Sequence, residues 1–181
     1  MEFPLWKALQ KQKSNPEQEI LDFLKETALF GNLKKRTLRE ITAMVHKREY
    51  SATETIFEQG QAGAGLYFIM DGKVKIVSSA EGTDLKLAVL DKYAFFGELS
   101  LFDVQPRGAS AIAVEDSILL GFFQPELKTI IEKKPKIGTE IIMAITRVIA
   151  QRLNSTNMVL EKAYLKAKKG KEDGAKEPEQ G

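Results

Sequence analysis

Phe95-Phe96-Gly97-Glu98-Leu99-Ser100-Leu101-Phe102-Asp103-Val104-Gln105-Pro106-Arg107-Gly108-Ala109-Ser110 concentrates anion-binding chemistry inside an otherwise strand-rich stretch. Gly97 lets the backbone approach a ligand closely. Glu98 to Phe102 has the length and residue types for one short helical turn, whose free N–H groups suit an anion. Arg107 adds a planar guanidinium that can hold two phosphate oxygens at once, and Gly108 removes side-chain bulk beside the backbone. Glu98 places a carboxylate next to this phosphate chemistry, which makes sense only for a ligand that also offers hydroxyls, as a ribose does. The same residues also permit a plain turn between strands, with Arg107 paired to Glu98 or Asp103 and nothing bound.

Upstream, Leu66 to Met70 and Val74 to Val77 flank the turn signal Asp71-Gly72-Lys73, which predicts a β-hairpin. Strands begin near Tyr50 and Ile56-Phe57. Leu85 to Leu90 is another, and Ala109 to Val114 with Ser117 to Phe122 closes the β portion. About eight short strands at close spacing predict an antiparallel β-roll, jelly-roll-like, a double-stranded β-helix. A pocket in such a roll takes apolar walls from strands, with Ile76 and Leu87 as candidates, and its polar grip from the inserted turn.

Helices flank this roll, so the class is α+β. Asn15-Pro16-Glu17-Gln18 reads as an N-cap, a proline at N1 and a glutamine at N3, opening a helix that Gly31-Asn32 breaks. Leu38, Ile41 and Val45 mark a second helix. After the strands, Gln124-Pro125 opens a third, Lys133-Lys134-Pro135 interrupts it, and a long helix runs from about Ile137 to Lys169. Along it Ile142, Ile145, Ile149, Leu153, Leu160 and Ala163 form an apolar stripe on which Thr156 falls, with Asn157 beside it. A lone polar residue on such a seam is either tolerated structure or a register device.

The run Phe96-Gly97-Glu98-Leu99-Ser100-Leu101, followed by Pro106-Arg107-Gly108-Ala109-Ser110, resembles the phosphate-binding cassette of cyclic nucleotide-binding domains. This is the family of the bacterial catabolite activator protein and the regulatory subunits of cAMP-dependent protein kinase. The resemblance implies that Glu98 binds the ribose 2′-hydroxyl and Arg107 the cyclic phosphate. The backbone around Gly97, Leu99 and Ala109 would take the remaining oxygens, with Gly108 among the ligand-binding residues. It also implies that the long helix forms a dimer seam, from which Thr156 and Asn157 reach the adenine. Family members selective for cGMP often carry a threonine directly after the cassette arginine. Gly108 has no such hydroxyl, so cAMP is the expected ligand.

The resemblance covers roughly residues 20–165, leaving an N-terminal extension over residues 1–19 with a short amphipathic segment and a charged tail over residues 166–181, disordered beyond about Gly170. No helix-turn-helix follows the long helix and no Arg-Arg-x-Ser/Ala pseudosubstrate precedes the domain. Neither DNA binding nor kinase inhibition is therefore expected.

Composition narrows the classes further. With no cysteine and a single histidine, His46, thiolate metal sites, cysteine nucleophiles and His clusters are excluded; neither a metal nor an enzyme activity is expected. A net charge of +2 makes no global electrostatic case for nucleic acid. No apolar run approaches the ~20 residues of a membrane span, and no signal peptide is evident, so a cytoplasmic protein is expected. The reading is a stand-alone cyclic nucleotide sensor whose ligand reorders the long helix, signalling to a protein effector or within a homodimer. The alternatives are a nucleotide-free oligomerisation module of the same fold and a truncated transcription regulator.

Overall fold

Asn15 accepts a hydrogen bond from Glu17 N at 3.1 Å and Pro16 follows it, so the first helix, α1 (Pro16–Glu26), starts where the capping residues predict. It ends well before Gly31. Thr27 Oγ1 donates to Leu24 O at 2.7 Å and accepts from Phe30 N at 3.3 Å, closing the helix with a side chain. α2 (Lys35–Thr42) follows, burying Leu38 and Ile41. The computed structural model describes residues 15–80, 83–102 and 105–174; the expected N-terminal amphipathic segment lies outside them, as does the tail after Gly174.

Eight strands come next among the described residues: β1 (His46–Tyr50), β2 (Thr55–Phe57), β3 (Gly65–Asp71), β4 (Val74–Ala80), β5 (Thr83–Leu90), β6 (Phe95–Phe96), β7 (Ser110–Ala113) and β8 (Ser117–Phe123). They form two antiparallel four-stranded sheets, ordered β1-β8-β3-β6 and β2-β7-β4-β5, which is the expected β-roll. The predicted hairpin between β3 and β4 is not one. The turn at Gly72 exists, with φ of 85°, but it carries the chain from one sheet to the other. Both edges of β3 are already paired, one to β8 and the other to β6, so β4 pairs with β5 and β7 instead.

Residues 65–70 of β3 are buried on both faces, which is why they read as a continuous apolar run rather than an alternation. Tyr67 and Ile69 join Val74, Phe96, Ala111 and Leu119 inside the roll. On the other face Phe68 meets Phe30 at 5.3 Å and Phe95 at 6.0 Å between ring centroids, tying the loop after α1 to the sheet.

α3 (Gln124–Lys133) and α4 (Pro135–Gly174) complete the described chain. Lys134 breaks the helical path between them, as the Lys-Lys-Pro sequence predicts, and α4 runs past the expected end at Lys169 to Gly174. The chain divides into two compact units, Met1–Ala144 and Ile145–Gly181. In the first, Ile137 and Ile141 of α4 are buried. In the second, the helix carries Leu153, Val159, Leu160 and Tyr164 exposed to solvent.

Candidate functional site

Two hydrogen bonds clamp the backbone of Arg107 to the loop before β3: Arg107 N donates to Gln61 O and Gly60 N donates to Arg107 O, both at 2.8 Å. Pro106 makes a bridge to Ala62 alongside. This zipper turns the arginine side chain inward, where it is only 8% exposed. Nη1 donates to Gly97 O at 3.1 Å and Ser100 Oγ at 3.0 Å, and Nη2 donates to Gly65 O at 2.9 Å. The guanidinium carbon lies 4.0 Å from the centroid of the Phe57 ring, a cation–π contact on the side chain's flat face.

Three hydrogen bonds leave two of the five guanidinium donors unused. Nε is buried without a hydrogen-bond partner, and Nη2 retains one hydrogen; the two nitrogens lie on the same edge of the plane. Burial pushes the Arg107 pKa down from its ordinary value, and the fields of Tyr67 and Glu98 pull it back up. Arginine stays protonated under any physiological condition, so a positive charge is held here in a largely dry setting. Nε is shielded by protein, with Gly63 beside it, so the guanidinium holds a buried charge whose donors are not all satisfied by the chain itself.

Gly97 makes this arrangement possible. Its φ of 79° lies in the left-handed region, and a Cβ there would stand 2.5 Å from Arg107 Nη1. The chain then enters the expected short turn, a 3₁₀ helix over Glu98–Leu101, in which Glu98, Ser100 and Leu101 are buried and Leu99 is exposed. Among the residues singled out from sequence, Gly97, Glu98, Leu99, Arg107, Gly108 and Ala109 belong to this one cassette. Ile76 is half-buried and packs on the cluster containing Tyr67 and Phe96. Leu87 is 54% exposed and falls where the β4–β5 register slips. Thr156 and Asn157 lie in the second unit, both exposed, with Thr156 Oγ1 donating to Arg152 O at 2.9 Å. Asp103 lies outside the described residues.

Sequence reasoning missed the residues that aim the arginine. Ser100 sat inside the quoted cassette, but nothing local says that its hydroxyl accepts from Arg107. Gly65, whose carbonyl takes Nη2, is 42 residues away. Gly63 is also required, because a Cβ there would collide with Ser100 Oγ. The glycine-rich loop before β3 was the available signal. Among the described residues no cluster of three or more His, Asp or Glu could hold a metal, and no helix is long and apolar enough to cross a membrane.

The profile of the cyclic nucleotide-binding domain matches residues 47–134. A CRP-like cAMP-activated global transcriptional regulator of Mycobacterium tuberculosis is 29% identical over 75% of this chain and 59% of its own length. A cyclic AMP receptor protein of Thermus thermophilus is 31% identical over 76% and 62%, respectively. The crystal structure of the N-terminal domain of a transcriptional regulator from Streptomyces coelicolor is 32% identical, with a TM-score of 0.65, over 77% of this chain and 95% of that one. The chain belongs to the cyclic nucleotide-binding domain family, whose regulatory β-roll it shares. It spans about three-fifths of the length of these two bacterial relatives, 59% and 62%.

Proposed function

We propose that this chain is a non-enzymatic cyclic nucleotide sensor that prefers cAMP. The observation that carries the reading is that buried Arg107 keeps donors on Nε and Nη2 unpartnered within the chain, a pair that suits bidentate contact with two oxygens of a cyclic phosphate. Buried Glu98 would then accept from the ribose 2′-hydroxyl, while the backbone at Gly97, Leu99 and Ala109 would complete the phosphate cradle and Ile76 and Leu87 would flank the nucleoside. Two relatives named for cAMP match over 75% and 76% of this chain and those named for cGMP over 56%, which supports cAMP over cGMP.

The signal would pass to the long helix, with Thr156 and Asn157 capping the base and the helix pairing with a second copy or a protein effector. A ligand shifts such an equilibrium only by binding the two helix arrangements with different affinity. The exposed apolar side chains Leu153, Val159, Leu160 and Tyr164 favour a second reading, an assembly arm that pairs whether or not nucleotide is bound. Calorimetric titration with cAMP and cGMP separates the two. A sensor gives saturable heat with cAMP at lower concentration than cGMP, whereas an assembly module gives none with either.

A further inference from the structure

Basic residues far apart in sequence meet at the start of α2 and the α3–α4 junction. There they line a cleft of about 540 Å³ with five cationic side chains, Lys34, Arg36, Lys133, Lys134 and Lys136, and one carboxylate, Glu140. In a chain of net charge +2 this is a strong local excess. Only two of the five are ion-paired among the described residues: Lys34 with Glu140 at 3.4 Å and Lys134 with Glu40 at 2.6 Å. Glu140 is further held by Thr37 Oγ1, which donates to it at 2.5 Å. Arg36, Lys133 and Lys136 make no ion pair with another described residue and are exposed. The first turns of α2 and α4 carry no acidic side chain that would offset them.

Concentrating like charges in a concavity costs stability through self-repulsion and focuses a positive field, a combination that a bound anion reverses. We propose that this cleft is a second binding site, separate from the cassette, for a compact small-molecule anion carrying several phosphate charges. Its size lies within the range of about 300 to 1,000 Å³ typical of small-ligand pockets. Its apolar lining is limited to Pro135 and Ile137, and Ile137 is itself buried, so an acidic peptide would find no pocket for an anchoring side chain. Lysine point charges with one arginine fork fit phosphate oxygens from several directions.

Titration of the full chain with tripolyphosphate at low ionic strength tests this. Saturable binding is expected, weakening severalfold at physiological salt and by roughly tenfold or more in the double variant Arg36→Glu with Lys133→Glu. Both side chains are exposed, so that variant should keep the circular dichroism and melting behaviour of the parent. Arg107→Leu should bind tripolyphosphate like the parent, because the cassette is not involved. No binding at low salt, binding indifferent to the double charge reversal, or binding lost with Arg107→Leu would each overturn the proposal. A hexaglutamate peptide or phosphatidylserine vesicles binding more tightly than tripolyphosphate, and dependent on Arg36 and Lys133, would overturn it in favour of a protein or membrane surface.

Discussion

Arg107 gathers three acceptors from three places in the chain: the carbonyl that opens β3, the carbonyl of a left-handed glycine and a hydroxyl in the short turn. That it belongs with the Gly97 turn was legible in sequence, since the arginine between Pro106 and Gly108 follows Gly97-Glu98 closely, and it does donate to Gly97 O and Ser100 Oγ. Its aim was not legible, because Gly65 and Phe57 come from elements that local pattern cannot bring near it. Glu98 offers a test at this scale. The 2′-deoxy analogue of cAMP should bind the parent more weakly than cAMP, by about 1.5 to 3 kcal/mol for a hydrogen bond to a charged group, and the penalty should largely vanish in Glu98→Ala. Penalties that simply add in that double cycle would remove the ribose contact.

Tyr50 gives a residue-scale prediction about stability. Burial first, and then the field and hydrogen bond of Tyr67, push its phenol up to about 12 in the folded chain. An unfolded tyrosine ionises near 10, so between about pH 10 and 12 the unfolded state sheds a proton that the folded state keeps. Stability is therefore full below about pH 10 and falls as pH rises through that window. Melting temperatures of Tyr50→Phe should decline less steeply there than those of the parent; parallel curves would show that Tyr50 does not report on the fold.

Elements differ in how far sequence reveals them. Asn15-Pro16 at the start of α1 and Lys134-Pro135 between α3 and α4 act through their own backbone, so the boundaries they set were readable. The β3–β4 hairpin failed for a non-local reason. Asp71-Gly72-Lys73 does turn the chain, but β8, nearly 50 residues later, claims one edge of β3, and the sequence around the turn carries no trace of that competition. The early end of α1 has a local cause instead: Thr27 bonds to Leu24 O and Phe30 N, three residues either side, and closes the helix before Gly31 can.

The long helix carries its own prediction. Thr156 lies seven residues from both Ile149 and Ala163, on a seam where pairing alone would favour an aliphatic side chain. Its hydroxyl proton is directed to Arg152 O, which leaves the oxygen free to accept from an adenine amino group, and Asn157 adds both a donor and an acceptor. Thr156→Val with Asn157→Leu should leave self-association, read by sedimentation, equal or stronger, while cAMP binding weakens by about 1 to 3 kcal/mol. A double variant that falls to monomer yet binds cAMP normally would make the pair structural.

At the scale of the whole molecule, the α+β class and the β-roll with its long terminal helix followed from strand count, spacing and the cassette together. The pairing of eight strands into two sheets did not, because each sheet is assembled from strands distant in sequence. The central claim is that this roll presents one buried, partly satisfied guanidinium to a cyclic phosphate. The direct test is calorimetric titration of the full chain with cAMP, beside Arg107→Leu shown folded by circular dichroism. Hydrogen bonds to a charged group contribute about 1.5 to 3 kcal/mol, so the account predicts saturable binding by the parent, weakened roughly tenfold to over a hundredfold by the substitution. Equal affinity in the two folded proteins, or no binding by the parent, would contradict it.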